Sequence, residues 1–106
     1  MKTFFGDIYI EAQKLKEEGI EYPIKVEYYK LKDENNKKYG IEIIKKEYKT
    51  ENINIENQTI NSLTKSEKKI EKILKIFERN EVTPICAEEI IEDFFGKTLA
   101  KTIKLS

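Results

Sequence analysis

Four carboxylates near the end of the sequence are spaced so that they would share one side of a helix. Glu88 and Glu92 are four residues apart, and so are Glu89 and Asp93. Side chains at this spacing are neighbours on a helix, and like charges there repel each other mildly. The pairs suit a solvated helix face, a docking surface for a basic partner, or a site for a hard cation such as calcium or magnesium. Of the binding interpretations we favour docking of a protein partner on these residues, and we predict no metal site.

Nucleophilic chemistry has little support in the sequence. It contains no histidine and a single cysteine, Cys86. A cysteine nucleophile normally needs a basic partner, which is usually histidine, whereas a free cysteine commonly packs as a small apolar side chain. We therefore expect Cys86 to be buried and structural, and we predict no catalytic residue, no cofactor and no enzymatic activity.

A basic segment precedes the acidic one and provides the alternative function. Lys68, Lys72, Lys75 and Arg79 fall on the first of two predicted helices. Two such helices after a set of strands partly resemble a winged-helix nucleic-acid binder, but the second helix has four acidic residues and no basic one, and DNA phosphates would repel it. Pairs such as Glu71 with Lys75 also dilute the basic charge. Nucleic-acid binding through the basic helix is therefore kept only as the alternative.

The elements that must position these residues begin with three strands. The segments 24–31, 39–45 and 53–60 alternate apolar and polar residues and are separated by short polar turns. Such a pattern predicts an antiparallel meander with one buried face, which needs a further layer packed on it. Tyrosines on this sheet are expected to pack across strands, and an exposed one would suit a protein interface. They are Tyr28, Tyr29, Tyr39 and Tyr48.

Two consecutive helices provide the second layer. Apolar residues recur at helical spacing over 65–80 and again over 84–95. Thr64 is the predicted N-cap of the first helix, in a capping box with Glu67. Pro84 suits the first position of the second helix, where its missing N–H is not needed. The helical pair is therefore expected to cover the buried face of the meander.

The two ends of the chain are less clearly patterned. Residues 4–18 fit a helical stripe, although Ile8, Ile10 and Ala12 also alternate as a strand would, and we favour a helix that stops near Gly19. Residues 97–106 form a short tail, which is either a frayed end or an edge strand.

The fold class predicted from these elements is α+β, in one small domain over 1–106. It comprises an N-terminal helical segment, a three-stranded sheet, a helical pair and the tail, over 1–23, 24–60, 64–96 and 97–106.

Composition limits the class of protein. The chain has 106 residues, with 20 basic and 20 acidic side chains, so its net charge gives no sign of a strong nucleic-acid binder. Acidic residues interrupt the N-terminal segment, and no stretch approaches the roughly 18 apolar residues of a membrane span. We therefore expect a cytoplasmic protein with a reduced cysteine and no membrane partner.

The segment from Tyr39 to Phe95 resembles a family of small uncharacterised proteins of clostridia and related Firmicutes. The resemblance rests on a strand that begins Tyr39-Gly40-Ile41, a capped helix after Ile60, the connection Asn80–Pro84 and the closing Glu92-Asp93-Phe94. It implies a small cytoplasmic bacterial domain of unknown function and names no catalytic residue.

The favoured function is a small non-enzymatic binding or regulatory module that acts through protein–protein contacts. Its partner is expected to be another protein or a second copy of the chain, because the acidic helix lies next to basic segments in the sequence.

Overall fold

The computed structural model describes residues 1–95, in which four antiparallel strands form one sheet in the order β1-β2-β3-β4. An α+β domain is thus confirmed, but the sheet has four strands rather than the predicted three. The elements in chain order are β1 (Lys2–Ile10), α1 (Ala12–Leu15), a 3-10 turn (Lys16–Glu18), β2 (Ile24–Asp33), β3 (Lys38–Tyr48), β4 (Ile53–Thr64), α2 (Glu67–Arg79) and α3 (Pro84–Phe95).

The additional strand is β1, which lies where an N-terminal helix was predicted over 4–18. β1 pairs with β2 from Lys2 to Ile10, with a register shift between Phe4 and Gly6, and this pairing satisfies the backbone groups that face β2 while Ile8 and Ile10 pack against the core. The prediction of one helix is wrong because strand pairing overrides the helical periodicity of the segment. Within this N-terminal segment, helical structure is confined to α1 and the 3-10 turn, which ends at Gly19 with a positive φ of 80°.

One face of the sheet is covered by α2 and α3, as predicted. The apolar residues of this covered face interlock with the apolar stripes of the two helices, and several of them have no exposed surface. The Tyr28 hydroxyl donates a hydrogen bond of 2.7 Å to the Val82 carbonyl oxygen, which ties β2 to the α2–α3 connection. The fully buried side chains with the largest volumes are Val26, Tyr28, Ile41, Ile43, Ile70, Ile73, Leu74, Phe77 and Ile91.

The sheet is irregular where β3 and β4 approach each other most closely. The register shifts between Tyr39 and Ile41, and Gly40 lies against the backbone of Ile60 and Asn61. A Cβ at Gly40 would lie 2.9 Å from the Asn61 Cα atom, so a glycine is needed there for close approach. This bulge shapes the end of the sheet where β3 begins.

The helical pair matches its predicted position closely, but the predicted cap does not. Ser66, rather than Thr64, is the N-cap of α2, and its side chain accepts a hydrogen bond from the Lys69 backbone N–H at 3.2 Å. The reason is that β4 continues to Thr64, whose hydroxyl accepts a bond from the Ser66 N–H instead. Helix α3 begins at Pro84, as predicted. The predicted tail over 97–106, including its possible edge strand, lies outside the described residues.

Candidate interaction surface

The sheet face opposite α2 and α3 carries no layer formed by residues 1–95, and we call it the open face. Alternation along the strands assigns every second side chain to this face, except that a register shift on β1 places Phe4 and Asp7 three positions apart, and the strand register aligns these side chains in rows that cross all four strands. The first row is Phe4, Tyr29, Glu42 and Thr59; the middle row is Asp7, Glu27, Ile44 and Asn57; the last row is Tyr9, Lys25, Lys46 and Ile55.

Large apolar side chains remain exposed at both margins of the open face. On β1, Phe4 is 52% exposed and Tyr9 is 59% exposed, and on β4 the values are 54% for Ile53 and 60% for Ile55. Ile44 lies between these margins and is half-buried. A sheet face that concentrates large apolar side chains in this way is informative, whereas scattered single ones are ordinary.

A charged network occupies the centre of the open face around Glu27. This carboxylate is only 7% exposed, although it lies on the uncovered side. It accepts a hydrogen bond of 3.2 Å from the Tyr29 hydroxyl and pairs with Lys46 and Lys25 at 3.3 and 3.5 Å. Burial alone would raise the pKa of Glu27, but hydrogen bonds and charge attraction, from Lys46 first, hold it below the ordinary value of 4.5.

A second carboxylate, Glu42, is held in the same way. Lys2 donates to it at 3.0 Å, and Asn57 and Thr59 both donate at 3.2 Å. Burial opposes ionisation here too, but these donors lower the pKa of Glu42. The Lys2 ammonium also lies 4.6 Å from the centre of the Tyr29 ring, so the two carboxylate clusters meet at Tyr29.

Two aromatic side chains of the open face, Phe4 and Tyr29, contact each other. The Phe4 and Tyr29 rings meet edge to face, with centroids 5.6 Å apart and an angle of 74° between the planes. Edge-to-face packing is a favoured aromatic geometry and adds stability beyond the area buried. The open face therefore presents a preorganised surface in which the central charges are already paired and the apolar margins remain available.

Sequence reasoning missed this surface for a specific reason. The alternation over 53–60 predicted a half-buried strand, and the strand exists, but Ile53 and Ile55 point to the open face. Ile60 of β4 is buried in the core beside its partner Ile41, and Leu63 packs partly buried against the core. No local sequence signal marks this surface, because which side of β4 faces the core is set by its pairing with β3.

The predicted acidic site residues lie on α3, away from the open face. Glu89 and Asp93 are exposed, whereas Glu88 and Glu92 are half-buried. Among residues 1–95, no group of three or more cysteine, aspartate and glutamate side chains is arranged to hold a metal ion. The structure thus brings the four carboxylates onto one helix without gathering them into a closed site.

Cys86 is exposed, so the prediction that it is buried is wrong. It lies in the first turn of α3, where the apolar stripe of the helix passes through Ala87 and Ile91 instead. Its neighbour Ile85 is 80% exposed, which places both residues on the outer side of the helix.

The basic residues of the alternative site form one exposed stripe along α2. Glu71 does not pair with Lys75 as expected, because Lys30 of the sheet donates to it at 3.1 Å and to Glu67 at 2.7 Å. The acidic side chains of α2 are thus drawn toward the sheet, and the basic stripe is less diluted than the sequence suggested. Its members are Lys68, Lys72, Lys75 and Arg79.

Comparison with known proteins places this fold in a family. The family model for a domain of unknown function, DUF6514, matches residues 1–97. The chain belongs to the DUF6514 family. The match includes β1 and α1, so it extends beyond the segment 39–95 on which the resemblance in the sequence rested. No curated protein and no solved structure matches the chain. Within residues 1–95, no helix is long and apolar enough to cross a membrane.

Proposed function

We propose that this protein is a non-enzymatic binding module of the cytoplasm that docks another protein chain on its open face. The observation that carries the proposal is the set of four large apolar side chains, each more than half exposed, on one uncovered sheet face. This replaces the acidic helix, which was the expected contact surface, because a solvated acidic face needs no partner while exposed apolar area gains free energy when it is covered.

The arrangement of the open face supports contact rather than catalysis. Protein interfaces combine apolar and aromatic anchors with polar groups whose hydrogen bonds are satisfied. Phe4, Tyr9 and Ile55 supply the anchors, and the hydrogen bonds of Glu27 and Glu42 are provided by neighbours within the chain. A carboxylate held ionised by several donors is poorly suited to exchange protons near neutral pH. The exposed thiol of Cys86 is consistent with a reducing compartment.

Site-specific photo-crosslinking in the cells that encode the protein tests this proposal. A benzophenone amino acid is placed at Tyr9 on the open face, and at Ile85 on α3 as a matched exposed apolar control. We expect a discrete protein adduct from position 9 and none from position 85. Absence of an adduct from position 9, or an equal adduct from both positions, would overturn the proposal.

A second candidate function is binding of a polyanion such as DNA along α2. The observation that favours it is the exposed stripe of Lys68, Lys72, Lys75 and Arg79, whose neighbouring carboxylates pair with Lys30 instead. Phosphate contacts of this kind make affinity strongly dependent on salt.

Fluorescence anisotropy with a labelled DNA duplex tests the second candidate. Replacing Lys68, Lys72 and Lys75 by glutamine is expected to abolish binding at low salt. The same replacement of Lys14, Lys16 and Lys37, which are exposed elsewhere, is expected to leave binding intact. Absence of binding by the wild type at low salt, or equal losses in the two triple variants, would eliminate this function.

A further inference from the structure

We propose that the partner of the open face is a second copy of this chain, related by a two-fold axis that runs across the strands along the middle row. The inference rests on the proposed function, since it names the occupant of the same surface. It is argued from the order of residues in the three rows, from the charge of the face and from its size.

When two copies stack open face to open face, the first row of one copy is complementary to the last row of the other. A two-fold axis in the plane between two stacked sheets, running along the middle row, places the first row of one copy over the last row of the other. Position by position along the rows, Phe4 then faces Tyr9 of the second copy, and Thr59 faces its Ile55. The first contact joins two exposed aromatic rings, and aromatic pairs contribute beyond their area, while the second covers the exposed Ile55 side chain with Thr59.

The charged positions between them are complementary as well. In the same arrangement Glu42, which is paired with Lys2 in its own chain, faces Lys46 of the second copy, which is paired with Glu27 there, and the Tyr29 ring faces Lys25 of the second copy. These are an opposite-charge pair and a cation–π pair, and the symmetry produces each of them twice. Complementary charge of this kind selects one orientation and suppresses the others.

The middle row lies on the axis and faces its own copy. Ile44 meets Ile44 there, which is a favourable apolar contact. Glu27 does not meet its copy as a bare charge, because it is only 7% exposed beneath Lys25 and Lys46. Asp7, at the edge of the row, faces Asp7 of the second copy, and its pairing with Lys25 at 3.5 Å within each chain offsets this like-charge contact.

The other aligned two-fold arrangement is disfavoured by the same register. An axis parallel to the strands would place β1 over β4 and β2 over β3, so that Lys25 faces Lys46 of the second copy. Like charges in these positions would repel at both symmetry-related contacts. The charge order therefore favours the axis that crosses the strands.

Net charge and size also suit a second copy. The chain has equal numbers of acidic and basic residues, so two copies do not repel each other at long range. Four strands at a spacing of about 4.8 Å and a length of about 33 Å give the open face a planar area of roughly 600 Å². Side-chain relief increases the accessible area beyond this plane, toward the roughly 800 Å² per partner of a standard interface.

Two charge-reversal variants test the inference, alone and mixed. In its own dimer, Glu42→Lys sets the new lysine against Lys46, and Lys46→Glu sets the new glutamate against Glu42, so each variant alone should lose self-association by at least about tenfold. In the equimolar mixture both contacts join opposite charges, so we expect a heterodimer by light scattering. Changes within each chain, such as the lost Lys2–Glu42 pair, are the same alone and in the mixture, and circular dichroism checks that each variant is folded.

The alternative outcomes are distinct. If Lys46→Glu alone associates more tightly than the wild type, the axis runs along the strands and the proposed arrangement is wrong. A mixture that remains monomeric, or a wild type that is monomeric over a wide concentration series, overturns the inference. In that case an adduct from position 9 with a different protein would leave the proposed function standing, whereas the absence of any adduct would remove both.

Discussion

Glu27 shows how a single residue connects the fold to the proposed surface. Its strand pattern places it on the solvent side, yet Tyr29, Lys25 and Lys46 enclose it almost completely. Removing one partner of an enclosed charge group is costly, because the remaining group stays desolvated and unpaired. The network therefore stabilises the sheet and fixes Tyr29 and the lysines in the positions that a partner would meet.

The lowered pKa values of Glu27 and Glu42 predict acid sensitivity. Because each folded-state pKa lies below the ordinary value of 4.5, the stabilisation is complete above that value and is lost as the pH falls through the folded-state pKa. We expect the free energy of unfolding, measured in urea, to fall steadily below about pH 4.5. Glu27→Gln should be less stable at pH 7 and should show a smaller acid-dependent loss. An unchanged pH dependence in this variant would show that the network contributes little.

For the individual strands and helices, the local sequence pattern was sufficient to predict the secondary structure wherever one face of the element is buried. The strands β2 and β3 and the helices α2 and α3 alternate at their own periods because each packs one apolar side on the shared core. β1 was not predicted because its apolar residues fit both helical and strand periodicity. Its secondary structure is decided by pairing with β2, which is distant in the sequence. The capping residue of α2 was misplaced by two positions because the length of β4 is set by the β3 register, which the local sequence does not show.

Two glycine-to-alanine substitutions in the sheet should differ sharply in how much they destabilise the protein. A Cβ at Gly40 would run into the Ile60 carbonyl oxygen and the backbone of Asn61, which cannot move without breaking β3 from β4. We expect Gly40→Ala to destabilise the protein by about 1–3 kcal/mol in chemical denaturation. Gly6→Ala is the matched control, because its Cβ would meet only the flexible carboxylate end of Glu78. Equal losses in the two variants would contradict the role assigned to the bulge.

The N-cap of α2 provides a second test at this scale. Ser66→Ala removes the acceptor of the Lys69 N–H and should cost about 1 kcal/mol of unfolding free energy. Thr64→Ala, at the position first expected to cap the helix, removes only a local turn bond to Ser66 and should cost less. Thermal and urea unfolding measure both variants, and a larger loss from Thr64→Ala would reverse the assignment of the cap.

For the whole molecule, the neutral total charge conceals an ordered arrangement. The sequence indicated an acidic helix beside basic segments, but it could not show that the open face has its acidic residues in the first and middle rows and its lysines in the last row. That order depends on how four separate strands are aligned. Only the register shows that Glu42 and Phe4 lie in the first row, whereas Lys46 and Tyr9 lie at the matching positions of the last row. The layers of the fold were largely predictable from sequence, whereas the surface that we propose for binding was not, because its residues lie on the sides of the strands that local patterns assign to solvent.

Light scattering on wild-type protein and two isoleucine variants tests the central proposal most directly. Ile55→Lys places a charge on the open face, and Ile85→Lys makes the same change at an exposed position of α3. We expect the wild type and Ile85→Lys to have twice the chain mass of 12.6 kDa, and Ile55→Lys to have the mass of a single chain. A monomeric wild type, or the same mass for both variants, would contradict the assignment of the open face as the surface where two copies meet.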